Sequence, residues 1–480
     1  MKKTSEKLLM LGSALLGSSL ACEAEDNVRG SKNLLLITCD DLRTELGCYG
    51  QEEIISPVID SLAGAGTMFS RAYCNIAVSG ASRSSLLTGT RPTRNTFLSA
   101  HIWAEKQKSD KIAINDWLHD HGYFTAVGQG KVFHYATDHE DGWDIVRKRA
   151  SGVADYHTDQ SGNPGGKRGY PFECLDLPDS AYVDYRITTQ AIKDLQLLAA
   201  QQKPFFYALG FCKPHLPFIA AKRFWDLYDR EEIALPDNYV LKEGNDIPKR
   251  ALSNWGELRN NYLGMPQKAG IPVEEDMART LIHGYRACVS QTDFNLGRVF
   301  KELRRLGLDK NTLIVLVGDH GWSLGEHGVW CKHSILETCL HAPMIIVDPS
   351  AEQKGLVCSE VVEFVDIFPT ICDCLGIETP DQLEGQSLRP LLNDPKAKSK
   401  GWAVCRWQQG YTLVTDDGLF YTEWWDKDDN IQERLLFDHN VDPDENYNVA
   451  GRKEYADKVR ELSPLLKERR GAEFDRYPLR

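Results

Sequence analysis

Short apolar runs recur along the chain at residues 34–38, 124–127, 205–211, 313–317 and 344–347, and each predicts a strand buried on both faces. Between them lie longer amphipathic stretches, 182–200 and 283–306, whose apolar positions repeat at helical spacing. Strand and helix in alternation predict an α/β fold, a mainly parallel sheet flanked by helices on both faces. Residues 135–180 and 230–272 are rich in Gly, Asp and Pro and read as long surface excursions. Near residues 393–400 the composition turns polar, and the sequence TLVTDDGLFYTEWW then alternates like a hairpin around Asp416-Asp417-Gly418. The expected organisation is therefore a main domain over 30–394 and a smaller C-terminal α+β subdomain over 395–480, an antiparallel sheet with a terminal helix.

The first 21 residues read as an export signal: Lys2, Lys3 and Lys7 precede an apolar run of small residues. The run is broken by Gly and Ser and falls short of the ~20 apolar residues of a spanning helix. Ser19-Leu20-Ala21-Cys22 resembles a bacterial lipoprotein processing box, with an acidic tether in Glu23, Glu25 and Asp26. A lipid anchor on Cys22 and a periplasmic or outer-membrane, cell-surface location are the expectation; ordinary cleavage after Ala21 is the alternative.

A chain of 480 residues with 42% hydrophobic and 26% charged residues can bury a large core. Its formal charge of -13 argues against nucleic acid as a partner, because phosphate binding needs a basic field. An anionic substrate still fits if cations converge locally. The 13 cysteines are sparse for a disulfide scaffold and read slightly better as small buried hydrophobes.

Ligands gather at the carboxyl ends of parallel strands, so polar residues just after apolar runs are the first candidates. LLLITCDDLR delivers Asp40 and Asp41, and LIVLVGDHG delivers Asp319 and His320. Adjacent carboxylates repel, which a shared cation relieves. Hard oxygen ligands favour Ca²⁺ or Mg²⁺, while His320 leaves a transition metal open. A third segment, Val78-Ser79-Gly80-Ala81-Ser82-Arg83, places Ser79 at a helix start and Arg83 one turn on, an arrangement suited to an anion.

Ser79-x-Ala81-x-Arg83 followed by Ser85-Leu86-Leu87-Thr88-Gly89 resembles the sulfatase signature. The resemblance extends through Gly130-Lys131-Val132-Phe133-His134, Lys213-Pro214-His215-Leu216-Pro217, DHGWSLGEHGVWCK ending at Lys332, and FDHNVDPDENYNVA, and so covers roughly residues 33 to 450. It implies an alkaline-phosphatase-like fold and a nucleophile, formylglycine, made by oxidising Ser79. One hydroxyl of the hydrated aldehyde attacks sulfur, and the second then allows sulfate to be expelled. Plain serine would be left as a stable sulfate ester. A serine at this position implies a radical-type maturase as partner. The resemblance assigns one Ca²⁺ to Asp40, Asp41, Asp319, His320 and modified Ser79. It has Arg83 and Lys131 steady the formylglycine and the sulfate oxygens, His134 take a proton during release, and His215 and Lys332 serve the leaving oxygen.

Within the family GKVFH, KPHLPF and DHGWSLGEHGVWCK look like the iduronate-2-sulfatase branch, although Tyr135 and His333 stand where Pro and Tyr are expected. The substrate implied is a 2-O-sulfated terminal uronate of a glycosaminoglycan oligosaccharide, with Trp322, His333, Trp103 and Arg406 as candidates for the sugar or carboxylate pocket. Rival readings are a sulfatase for another glycan or small ester, a metal-dependent phosphoesterase of the same superfamily, and a noncatalytic glycan-binding surface protein.

Overall fold

The structure, a computed structural model, describes residues 32–470 apart from 109, 151–154, 160–162, 202 and 269. The expected leader and Cys22 lie outside the described residues. Eight strands form the main sheet: β1 (Asn33–Asp40), β2 (Thr67–Phe69), β3 (Phe124–Val127), β4 (Ile145–Val146), β5 (Phe205–Pro214), β6 (Thr312–Gly318), β7 (Met344–Val347) and β8 (Leu356–Cys358). They lie in the order β8-β2-β7-β6-β1-β5-β3-β4. Central β1 is parallel to both neighbours, with Leu35 opposite Ile314 on one side and Tyr207 on the other. β7 runs antiparallel to β6 and β2, so the sheet is mainly, not wholly, parallel. The five apolar runs are β1, β3, β5, β6 and β7. The unanticipated strands β2, β4 and β8 have only two or three residues and lie at or next to the edges, too short to carry a period.

Helices cover the sheet: α1 (Pro57–Ala65), α2 (Ser79–Thr88), α3 (Val183–Ala199), α4 (Glu275–Arg305) and α5 (Ile367–Leu375). α4 packs on β5 and against α1 and α3. It begins at Glu275 rather than near 283, because its exposed first turn carries acid suited to a helix N-terminus and no apolar stripe.

The excursions are more than surface. Within 135–180, Phe172–Leu175 pairs with Phe218–Ala221, and within 230–272 a short helix, Gly256–Asn261, reaches the site described below. After them, β9 (Trp402–Trp407), β10 (Gly410–Thr415), β11 (Leu419–Trp425) and β12 (Ile431–Asp438) form an antiparallel sheet in chain order, backed by α6 (Ala456–Arg469). The β10–β11 turn passes through Gly418, whose φ of 84° suits glycine. One face of this sheet buries Leu413, Tyr421 and Leu436 against Leu462 and Leu466 of α6; Ala403, Cys405, Phe420 and Trp424 join the main core. The twelve described cysteines are unpaired and most are buried, in the manner of small hydrophobes. Among the described residues no helix is long and apolar enough to cross a membrane.

Candidate active site

β1 and β6 run side by side and end together, which brings Asp40, Asp41, Asp319 and His320 to one place. The Asp319 amide donates to Cys39 O at 3.1 Å, and the Asp41 amide donates to Asp319 Oδ1 at 2.9 Å. Asp41 adopts a left-handed φ of 64°, a strain of order 1 kcal/mol that persists only where the surroundings hold it. Asp41, Asp319 and His320 are all buried and each offers a ligand atom within 4.8 Å of the others. Burial, reinforced by the Asp40 charge, pushes the Asp41 carboxyl upward despite His215 and Lys332. A buried set of two carboxylates and one imidazole that favours added positive charge fits a hard divalent cation.

Asp40 faces a different neighbour. Its two oxygens accept from Lys131 Nζ at 2.7 and 2.8 Å, and Oδ1 lies 3.3 Å from both Ser79 Oγ and Arg83 Nη2. Burial opposes its charge, but Lys131, His215 and Arg83 hold the carboxyl well below the usual range. Lys131 reaches this position because its loop crosses β5 at Gly210, where a Cβ would sit 2.0 Å from Lys131 O.

Ser79 opens α2, a helix buried along its whole length. Its Oγ lies 2.9 Å from His320 Nε2, and no side chain caps the helix, so free amides of the first turn favour negative charge there. Arg83, expected to point back to an anion at Ser79, is turned to the strand ends. Its Nε donates to Asp319 Oδ2 at 2.9 Å and its Nη1 to Thr38 Oγ1 and Val132 O at 3.0 Å, so the guanidinium clamps the strand ends and the Lys131 loop.

Across from Ser79, Lys332 sits between two left-handed residues, Cys331 and His333, which aim it inward. Its Nζ donates to Asp41 Oδ1 at 3.0 Å and lies 3.0 Å from Glu257 Oε2. Burial works against the ammonium, but Asp41 and Glu257 raise its proton affinity well above that of free lysine. His215 has Nδ1 2.5 Å from Leu216 O and Nε2 3.0 Å from Glu257 Oε1, so both nitrogens face acceptors. Burial again opposes the charge, and Asp41 leads the groups that raise it. Glu257 carries no signature in the sequence: it is one acid in a polar excursion, and its meeting with His215 and Lys332 exists only in space.

These groups border a cleft of about 430 Å³ with Ser79, Lys131, His134, His215, Lys332 and His333 in its wall. Burial and the Lys131 charge depress His134 to about 3, and burial and Lys332 depress His333 to about 4, so both are neutral near pH 7. Three expected sugar-pocket residues lie outside this wall. Trp322 is fully buried beneath Lys332, whose Nζ is 4.9 Å from its ring centroid. Arg406 is buried on β9 with Nε 3.2 Å from Tyr411 Oη, because its strand register turns it into the interior. Trp103 stacks at 4.8 Å on Tyr135, one residue beyond His134.

Comparison with known proteins bears on the fold and the family. The sulfatase family profile matches residues 32–377, and the profile described as N-sulphoglucosamine sulphohydrolase, C-terminal, matches 325–472. The chain is 31% identical over 418 residues to human iduronate 2-sulfatase, covering 79% of this chain and 76% of that protein. It is 25% identical over 474 residues to a Delta 4,5-hexuronate-2-O-sulfatase of Bacteroides thetaiotaomicron, covering 93% and 90%. Its fold superposes with a TM-score of 0.74, at 24% identity and with 93% and 99% coverage, on a protein solved in complex with its substrate D-glucosamine-2-N,6-O-disulfate. The sheet, its helices and the C-terminal antiparallel subdomain are thus the alkaline-phosphatase-like architecture of these enzymes, and the chain belongs to the sulfatase family.

Proposed function

We propose that the protein is an exported, exo-acting glycosaminoglycan sulfatase that removes the 2-O-sulfate of a terminal uronate, saturated or unsaturated, from heparin, heparan or chondroitin fragments. The observation that carries this reading is the position of Ser79 Oγ, 2.9 Å from His320 Nε2 at the edge of a cleft bordered by Lys131, Lys332 and His215. Local cations in a chain of net charge -13 suit a sulfate ester. The 2-O preference draws support from relatives named iduronate 2-sulfatase and hexuronate-2-O-sulfatase; the competing preference is that of the glucosamine disulfate complex.

Formylglycine at residue 79, formed by a radical-type maturase, supplies the hydrated aldehyde whose hydroxyls serve attack and release. Asp41, Asp319 and His320, with Asp40 and residue 79 next to them, would hold a calcium ion, which would supply positive charge for the sulfate. Lys131 holds sulfate oxygens, Lys332 lies with His215 on the leaving-oxygen side, and the α2 amides add their dipoles. His215, whose proton affinity Asp41, Asp40 and Glu257 raise, gives a proton to the leaving alcohol. Neutral His134, whose Nδ1 has no partner, accepts a proton at residue 79 during release. Arg83 fixes the strand ends that carry the acids.

The test pairs mass spectrometry of the peptide bearing residue 79, from the native host, with an assay of matched disaccharides. Formylglycine and release of uronate 2-O-sulfate are expected. Intact serine in active enzyme removes the mechanism, and preferential loss of hexosamine 6-O-sulfate removes the specificity.

A further inference from the structure

Arg149 lies on the cleft wall with Lys131 and His134 and has no established task there. Its Nη2 donates to Phe133 O at 3.0 Å, while its Nε is buried and without a hydrogen-bond partner. Among the described residues no carboxylate forms an ion pair with it; burial, with the Arg83 charge adding to it, lowers its proton affinity below that of a free guanidinium. The other cations have tasks: Lys131, Lys332 and His215 serve the sulfate and the leaving oxygen, Arg83 pairs with Asp319, and Arg168 is exposed at the cleft rim, which leaves Arg149 as the half-buried cation without one. His333, depressed to about 4, is uncharged near pH 7, and Arg406 is turned away. A half-buried guanidinium held at one nitrogen, with another left unsatisfied, is costly unless a ligand completes it. A planar fork of this kind matches a carboxylate.

We propose that Arg149 is the specificity-determining anchor for a second anionic group of the substrate, the carboxylate of the ring that bears the sulfate. This rests on the uronate reading above. The carboxylate stabilises the charged guanidinium from the cleft side, and the Phe133 carbonyl fixes the plane of the fork. A second arginine of the cleft, Arg168, is exposed at its rim and meets the remainder of the chain end.

The experiment measures kcat/KM on a 2-O-sulfated uronate disaccharide and on its carboxyl-reduced counterpart, in which the C6 acid is an alcohol. In the parent enzyme the acid is preferred by about tenfold or more, as for a charge-assisted hydrogen bond. In Arg149→Ala that preference collapses towards unity, mainly through KM, and Arg149→Lys restores part of it. The ratio is read within each variant, so a loss of folded protein lowers both rates and leaves the test intact. An unaltered preference in both variants overturns the assignment. A parent enzyme that cleaves neither uronate but desulfates a hexosamine overturns the uronate reading itself, a separate outcome.

Discussion

Glu257 Oε1 lies 3.0 Å from His215 Nε2, while its other oxygen lies 3.0 Å from Lys332 Nζ, so one acid holds both groups assigned to the leaving oxygen. Burial disfavours the charge on Glu257, but Lys332 and His215 keep its carboxyl well below the usual range. We expect Glu257→Gln, which keeps size and removes charge, to lower kcat by about 10- to 100-fold, less than the roughly 10²- to 10⁴-fold of losing a general acid outright, because His215 itself remains. Asp41 contributes more than Glu257 to the raised His215. The alkaline limb of the kcat profile should therefore move only part of the way towards acid. A fall in activity with an unmoved limb would make Glu257 merely a packing residue.

Ser79→Ala removes the side chain that the proposed mechanism converts to the nucleophile at the start of α2. Turnover should fall to background, at least about 10⁴-fold, while substrate affinity persists because the cations of the cleft are untouched. Equilibrium binding of a sulfated disaccharide to the variant checks the second half. Residual turnover within tenfold of the parent would end the covalent scheme.

The extent to which the site is legible in the sequence follows from how each residue is placed. Asp40, Asp41, Asp319 and His320 come straight off two apolar runs, and the parallel pairing of β1 with β6 is what such runs imply. Ser79 begins a helix whose register is local. Glu257 and Arg149 come from excursions without periodicity, and nothing nearby in the chain marks what they meet. Trp322 and Arg406 show the opposite failure: residue type suggested a sugar pocket, but strand register and burial decide which way a side chain faces, and both turn inward. Arg83 was readable in position but not in partner, since its partners come from β1, β6 and the Lys131 loop.

Metal removal should separate structure from chemistry. Chelation is expected to abolish activity, and calcium to restore it better than zinc, given a set richer in oxygen than in nitrogen or sulfur. Because the ion binds only the folded chain, calcium should also raise the melting temperature, with stabilisation of about 2.7 kcal/mol at a hundredfold excess over Kd. Asp41→Asn should lose that thermal shift. Two tightly bound zinc ions per chain in the active protein would point to the phosphoesterase reading.

The last expectation concerns the joint between the main sheet and the C-terminal subdomain. Lys400 Nζ lies 2.6 Å from Glu363 Oε1 and 2.5 and 2.6 Å from the Asp366 oxygens, both acids fully buried, and Glu363 Oε2 also accepts from the Val404 amide of β9 at 3.3 Å. Burial opposes the Glu363 charge, but Arg91 and Lys400 bring it down to about 2. A carboxyl lower in the folded than in the unfolded chain binds fewer protons when folded, so its contribution is present above the unfolded value, near 4.5, and is lost as pH falls towards 2. Lys400→Met leaves two buried acids facing each other with one cation fewer, which should cost about 3–5 kcal/mol. Urea unfolding at pH 7 and at pH 4 checks this: the variant should be markedly weaker at pH 7, and the deficit should narrow at pH 4 as one of the two acids takes up a proton. A deficit that is the same at both pH values would mean that Lys400 acts through packing alone, and that the charge cluster does not hold the two sheets together.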